Sequence, residues 1–142
     1  DLLRDRPDLI PNFVEETLRF LSPTNNMYRV ATTDSEIGGV SINQGDLILL
    51  RYGSANRDAA HFADPNRFDV HRANAKDHLA FGAGIHRCIG AQLALKEMTS
   101  AWPILLRRLK SFRFTEGRNS FMYLPTILMR GVFELNIDFE KA

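Results

Sequence analysis

The sequence has a single cysteine, Cys88, among its 142 residues. One cysteine excludes a disulfide bond within the chain. It also argues against a closed zinc site, which usually needs several Cys and His ligands. An unpaired thiol suits a reducing compartment, so we expect a cytoplasmic location.

The sequence also lacks a large excess of charge of one sign. Its 18 basic and 17 acidic residues give a formal net charge of +1. Because a strongly basic surface is what draws proteins to nucleic acid, we expect no nucleic-acid partner. No apolar run is long enough to span a bilayer, and no signal peptide is visible.

Repeats, low-complexity segments and linkers are absent as well. The hydrophobic fraction of 44% and the charged fraction of 25% are ordinary for a globular protein. We therefore interpret residues 1–142 as a single piece of one domain.

The periodicity of apolar residues predicts two main helices and several short strands. The first helix runs from Leu9 to Leu21 and ends at Ser22, because the residue before a proline avoids helical geometry. The second and stronger helix runs from Ile89 to Lys110 and contains Pro103. The segment from Asp58 to Ile85 has no regular period. Strands are predicted at Tyr28–Thr32, Val40–Ile42, Leu47–Leu50 and Val132–Ile137, and a short helix at Tyr52–Arg57. The fold class is mainly α with small β-sheets.

The segment Phe81–Gly90 is the most informative part of the sequence. Gly82 and Gly84 allow backbone conformations closed to other residues, and Gly90 has no side chain to hold a large cofactor away. Cys88 lies at the start of the second helix, where the dipole favours a thiolate. The plain alternative is a free core cysteine beside an ordinary turn, which is the usual interpretation of a lone cysteine.

The pattern Phe-Gly-x-Gly-x-His-x-Cys-x-Gly fixes six positions in ten residues. It resembles the haem-binding loop of the cytochrome P-450 family. The resemblance implies that Cys88 is the axial ligand of the iron of haem b. It implies further that Phe81 packs near the sulfur, that Gly82 and Gly90 lie at the cofactor, and that His86 binds a haem propionate.

A second motif is Glu16-x-x-Arg19, which places opposite charges one above the other on a helix. Such pairs are common on solvated faces, and Glu15 with Arg19 would form one equally well. The motif is similar to the Glu-x-x-Arg helix of the same family, and Pro65–Phe68 is similar to its Pro-x-Arg-Phe motif. The resemblance implies a structural network of Glu16, Arg19 and Arg67.

Three further contacts are implied by the resemblance alone. Arg29 opens a strand, where a solvated charge is the plain alternative. A family arginine at this place commonly reaches a haem propionate, since a guanidinium pairs well with a carboxylate. Asn25 and Asn26 in one segment, and Thr126 and Ile127 in another, are candidates for contact with substrate.

The resemblance implies a haem-thiolate monooxygenase of bacterial type, which inserts one oxygen atom of O₂ into a small organic substrate. Its electrons would come from a ferredoxin or flavin reductase bound at the face that carries Cys88. The family's oxygen-activating helix has no counterpart here, so we interpret the chain as the haem-ligating C-terminal part of the fold. We expect it to be inactive alone, and to require the remainder of its parent or self-association.

Three alternatives remain open from the sequence. A peroxide-using peroxygenase or an isomerase would share the same cysteine ligand. A non-catalytic truncated fragment would share the motifs without activity. A cysteine hydrolase would use Cys88 with His86, but only one residue separates them and no third group orients the histidine.

Overall fold

The protein is described by a computed structural model that covers residues 1–142. Its helices are α1 (Leu2–Asp5), α2 (Ile10–Leu21), α3 (Tyr52–Ala55) and α4 (Ala91–Arg108), and single 3₁₀ turns lie at Pro7–Leu9, Ala75–Asp77 and Gly84–His86. Its strands are β1 (Met27–Val30), β2 (Ser35–Ile37), β3 (Val40–Ile42), β4 (Leu47–Leu50), β5 (Leu109–Phe114) and β6 (Ile137–Lys141). None of the four helices combines the length and the apolar character that a membrane-spanning helix requires. The predicted fold class, mainly α with small sheets, is confirmed.

The strands form three separate antiparallel pairs, β1 with β4, β2 with β3, and β5 with β6. Residues Gly38 and Gly39 join β2 to β3 with φ angles of +59° and +79°. This conformation suits glycine and gives the turn twist that a tight hairpin needs. Each sheet is small, so the helices and the irregular segment between α3 and α4 carry most of the packing.

Two predicted elements differ from the structure near the C-terminus. The strand predicted at Val132–Ile137 is wrong, because β6 begins at Ile137 and Val132 makes only an isolated bridge to Tyr123. The second helix ends at Arg108, since Leu109 is extended and starts β5. Alternation of apolar residues indicates a strand, but the pairing partner decides where the strand lies.

Helix α2 is the centre of the packed interior. Val14 and Leu18 on this helix form a buried cluster with Ala80, which lies just ahead of the cysteine loop. Helix α4 packs against the cluster from one side, and the partly buried side chains around it are Phe13, Phe81, Leu95, Met98 and Trp102. The core therefore joins α2 to both ends of the cysteine loop.

The same helix carries a buried ion pair. The side chains of Glu16 and Arg19 have no solvent exposure, and Arg19 Nε lies 2.6 Å from Glu16 Oε2. A second bond of 2.8 Å joins Arg19 Nη2 to Glu16 Oε1, so the contact is bidentate. Arg19 also donates to the carbonyl oxygens of Asn56, Pro65 and Arg67 at 2.8, 3.0 and 3.2 Å.

The third side chain of the network is Arg72, which corrects the prediction of Arg67. Arg72 Nε lies 3.2 Å from the Glu16 carboxylate, and only 6% of its side chain is exposed. Arg67 is exposed and contributes only its carbonyl oxygen, to both Arg19 and Arg72. In residues 64–69, backbone carbonyls accept from Arg19 and Arg72, and the Asp69 N–H donates to Glu16. The carbonyl of Arg67 is therefore part of the network, whereas its side chain is not.

Burial by itself raises the pKa of Glu16. Hydrogen bonds from Arg19, from the Asp69 N–H at 2.8 Å and from Arg72 outweigh burial and hold that pKa below its ordinary value. Because the folded pKa is depressed, the carboxylate stabilises the fold above its ordinary pKa. That stabilisation is lost as the pH falls through the lower, folded value. No buried side-chain nitrogen or oxygen lacks a partner.

Removal of Arg72 should unfold this region, whereas removal of the Arg67 side chain should not. Arg72→Leu leaves part of the Glu16 charge buried without its partner, which costs about 3–5 kcal/mol. Arg67→Leu keeps the carbonyl and removes only an exposed charge, within about 0.5 kcal/mol. Denaturant unfolding of the two variants of the full-length protein measures both free energies. Equal losses in the two variants would contradict this assignment.

Candidate functional site

The cysteine loop is closed by a hydrogen bond across its base. The Cys88 N–H donates to the carbonyl of Phe81 at 2.9 Å, and the Arg87 N–H donates to Gly84 at 3.1 Å within a single 3₁₀ turn. Helix α4 begins three residues later, at Ala91, whose N–H bonds to the Cys88 carbonyl. The Cys88 side chain is exposed rather than packed in the core, which removes the plain alternative of a buried structural cysteine.

Glycine is required at two positions of this loop. Gly82 and Gly84 both have φ of +67°, a region that other residues rarely adopt. A Cβ atom at Gly82 would lie 3.3 Å from the hydroxyl oxygen of Tyr52, so this peptide is also closely packed. At Gly90 the backbone is ordinary, and a Cβ atom would lie 3.8 Å from the sulfur of Cys88. A side chain there would occupy space next to the sulfur.

A concave surface of about 650 Å³ lies beside the loop. This volume is within the range of small-molecule and cofactor sites, roughly 300–1,000 Å³. Four segments of the chain contribute to its lining: the end of α2, residues 23–29, Tyr52 and the cysteine loop. The lining residues are Leu18, Pro23, Thr24, Met27, Arg29, Tyr52, Ala80, Phe81, Gly82, Ile85, His86, Arg87, Cys88 and Ile89.

The cavity brings together five of the six predicted cofactor residues. Cys88, His86 and Arg29 line it with Phe81 and Gly82, and Gly90 lies next to the sulfur. No acidic residue is among the lining. Arg29 uses one nitrogen on the Tyr28 carbonyl, at 2.8 Å, and keeps its other donors. A largely apolar lining, one thiol and the nitrogen donors of Arg29 and His86 suit an apolar cofactor that carries carboxylate groups.

The four predicted substrate residues lie outside this lining. The two segments do meet, because the Asn25 N–H donates to the Leu128 carbonyl and the Asn26 amide donates to the Ile127 carbonyl. Asn26 is only 8% exposed, and its amide is already used in a hydrogen bond within the fold. Of the first segment, Thr24 and Met27 face the cavity instead.

Asn56 is a supporting residue that was not among the predicted site residues. It is fully buried, and its side-chain oxygen accepts from the Leu79 N–H at 2.6 Å. Its amide nitrogen donates to the Ser22 hydroxyl at 2.8 Å, and its carbonyl accepts from Arg19. Asn56 therefore joins the buried ion pair to the segment that enters the cysteine loop. A single asparagine has no periodic signal that would reveal this role.

The site therefore combines an exposed cysteine with a largely apolar lining and with nitrogen donors from Arg29 and His86. The family model for cytochrome P450 matches residues 4–130 of the chain. The chain belongs to the cytochrome P450 family.

Individual relatives agree with this assignment. Pentalenic acid synthase of Streptomyces avermitilis is 41% identical over 135 residues, which are 95% of this chain and 33% of the relative. The biotin biosynthesis cytochrome P450 of Bacillus subtilis is 42% identical over 138 residues, which are 97% of this chain and 34% of the relative. The chain thus spans about a third of the length of the curated relatives it matches.

Solved structures show the same fold. A cytochrome P450 of Mycobacterium marinum in its substrate-free form superimposes with a TM-score of 0.95 at 37% identity, over 99% of this chain and 36% of that one. The structure of P450BioI with a fatty-acyl-loaded acyl carrier protein gives a TM-score of 0.90 at 42% identity, over 97% and 35%. The predicted resemblance to bacterial cytochromes P-450 is therefore confirmed.

The two glycines that flank the loop should respond differently to alanine. Gly82→Ala places a Cβ in a left-handed conformation and against Tyr52, and should cost about 1–3 kcal/mol of stability. Gly90→Ala keeps an allowed backbone and an ordinary contact, so its cost should stay within about 0.5 kcal/mol. Denaturant unfolding without added cofactor compares them. A Gly82→Ala variant as stable as Gly90→Ala would contradict the packing described.

Proposed function

We propose that the full-length protein is a haem-thiolate monooxygenase in which Cys88 binds the iron of haem b. The observation that carries the proposal is the position of Cys88. It is exposed on a 650 Å³ cavity that it shares with Arg29 and His86, in a chain of the cytochrome P450 family. Bound haem supplies the oxygen chemistry, while the protein supplies ligation, orientation and electrostatics.

The residues around the cavity fit haem by shape and charge. Arg29 and His86 would hold the propionates, since both present nitrogen donors on the same surface as the thiol. Gly82 and Gly90 allow close approach, because a side chain at Gly90 would sit beside the sulfur. The absence of acidic lining residues leaves the propionates without a repelling charge.

The chain's apolar residues would keep water from the cofactor. Leu18, Met27 and Phe81 line the wall of the cavity, and Ile85 and Ile89 flank the cysteine on the loop. A dry surround strengthens the interaction of the sulfur with a metal cation, because the local dielectric is low. The protein would thus hold the sulfur, orient the cofactor edge and exclude solvent from the ligand side.

The substrate class that fits best is a small, largely apolar organic molecule. The named relatives include a steroid C26-monooxygenase of Mycobacterium tuberculosis and a linalool 8-monooxygenase of Pseudomonas putida. Met27 is apolar and Thr24 is small, and both face the cavity. We propose insertion of one oxygen atom of O₂ into such a molecule, in the cytoplasm, where a lone thiol stays reduced.

Cys88→His should abolish the spectrum that marks thiolate ligation. The reduced carbon-monoxide complex of the full-length protein should show a strongly red-shifted Soret band, because the sulfur donates electron density to the iron. Imidazole donates less, so the variant should lose the shift even if haem is retained. His86→Ala is the matched control. This variant removes the other side chain of the loop that can bind a metal, and it should keep the shift. A shift that survives in Cys88→His would refute the ligand.

The face that carries Cys88 also fits an electron-donating partner, a ferredoxin or flavin reductase. Arg87 beside the cysteine, and Lys96, Arg107 and Arg108 along α4, are all exposed. Basic residues near a helix C-terminus also offset its dipole, which is the plain alternative for Arg107 and Arg108.

Charge reversal on this face should slow electron transfer. Arg87→Glu with Arg108→Glu should lower the association rate with an acidic redox partner, and the wild-type rate should fall with rising salt. Lys141→Glu, which changes one exposed charge on β6, should leave the rate unchanged. Stopped-flow reduction kinetics measure each rate. A wild-type rate independent of salt would favour the dipole alternative.

A further inference from the structure

His78 occupies a sheltered position between α2 and the cysteine loop. Its side chain is 3% exposed, and its Nε2 lies 3.0 Å from the Glu15 carboxylate, which is 24% exposed. Its Nδ1 lies 3.1 Å from the backbone nitrogen of Ala80. Both ring nitrogens therefore have a partner, Glu15 on α2 and Ala80 in the segment that leads into the loop.

These two partners define the proton position on the ring. The Ala80 N–H can only donate, so Nδ1 must accept and carries no proton. The carboxylate of Glu15 can only accept, so Nε2 must carry the proton and donate. The ring is thus the neutral tautomer with hydrogen on Nε2, and Glu15 selects this tautomer.

The Ala80 N–H is close to the base of the cysteine loop. The neighbouring Leu79 N–H is bound by the buried Asn56 side chain at 2.6 Å, so two successive backbone donors have side-chain acceptors. The next residue, Phe81, accepts the Cys88 N–H at 2.9 Å. The His78 ring also lies against the Phe81 ring, with the centroids 5.8 Å apart.

This arrangement links Glu15 to the cysteine through a short chain of hydrogen bonds and backbone. The ring accepts the Ala80 N–H, which lies two peptide units before the Phe81 carbonyl, and that carbonyl accepts the Cys88 N–H. The loop is exposed from residue 83 to residue 89, so its position depends on the hydrogen bonds at its base, which join Cys88 to Phe81, Gly82 to Leu79 and Ala80 to His78. A small rotation at Ala80 would therefore move the sulfur.

We infer that His78 is a positioning residue for the cysteine ligand. By accepting the Ala80 N–H, with Glu15 fixing its tautomer, it holds the sulfur of Cys88 in the orientation that a metal-bound thiolate needs. The inference rests on the proposed function. It assigns to His78 no contact with cofactor or substrate.

Two substitutions in the full-length protein test the hydrogen bonds of the two ring nitrogens one at a time. In His78→Asn, the side-chain oxygen takes the place of Nδ1, because asparagine commonly accepts from the N–H two residues ahead, but the amide is too short to reach Glu15. In His78→Gln, the longer amide can donate to Glu15 as Nε2 does, but the Ala80 N–H loses its acceptor. Glu15→Ala tests the tautomer while leaving the ring in place.

The readout is the reduced carbon-monoxide complex, compared at equal haem content. His78→Asn should keep the thiolate-type Soret band. His78→Gln should lower the ratio of thiolate-type to neutral-sulfur-type complex about tenfold, as expected when one buried backbone donor is stranded. Glu15→Ala should fall between the two, because the competing tautomer becomes populated. Unfolding midpoints of the same samples report any purely structural effect.

The inference is tested by comparing the ratio of thiolate-type to neutral-sulfur-type complex in the two histidine variants. If His78→Gln keeps the wild-type ratio and shows only a lower unfolding midpoint, the ring merely packs and the inference is overturned. It is equally overturned if His78→Asn loses the band as fully as His78→Gln. A wild-type protein without the thiolate-type band would instead overturn the proposed function, and the inference with it.

Discussion

The carboxylate of Glu16 is the contact on which the rest of this structure depends. It has no access to solvent, and it accepts from Arg19, Arg72 and the Asp69 N–H. A buried charge is costly unless each of its hydrogen-bonding positions is filled. The irregular segment between α3 and α4 supplies two of these three donors, so it must adopt one conformation. A charge that would oppose folding if left alone thereby orders a segment that has no regular structure of its own.

The order imposed at Glu16 reaches the cysteine by two routes. One passes from Arg19 to the Asn56 carbonyl, and from the Asn56 side chain to the Leu79 N–H. The other passes from the adjacent Glu15 to His78 and then to Ala80. Both begin on one turn of α2 and end within two residues of each other, at the base of the loop. Fully satisfied polar networks of this kind specify geometry more than they add stability.

The sequence predicted those parts in which residue type alone restricts the backbone or the chemistry. The two glycines of the loop and the cysteine at its end are restricted in this way, and five of the six residues predicted to contact the cofactor line one cavity. The third arginine was not, because Arg67 and Arg72 are chemically identical. Which one enters the core depends on backbone partners, and Arg72 donates to the carbonyls of Ala63, Asp64 and Arg67. Buried amides such as Asn56 escape prediction for a related reason, since their partners are backbone groups that leave no mark in the sequence.

Two apolar residues on either side of the cysteine, Ile85 and Ile89, are exposed in this chain. Ile85 and Ile89 are 97% and 104% exposed, although each would contribute about 1.5–3 kcal/mol if fully buried. The chain spans about a third of the length of its relatives and leaves both side chains uncovered. A flat apolar cofactor bound to the sulfur of Cys88 would lie next to both side chains. Its binding would then bury apolar surface and form the metal–sulfur bond in one event, so that order in the loop and affinity for the cofactor rise together.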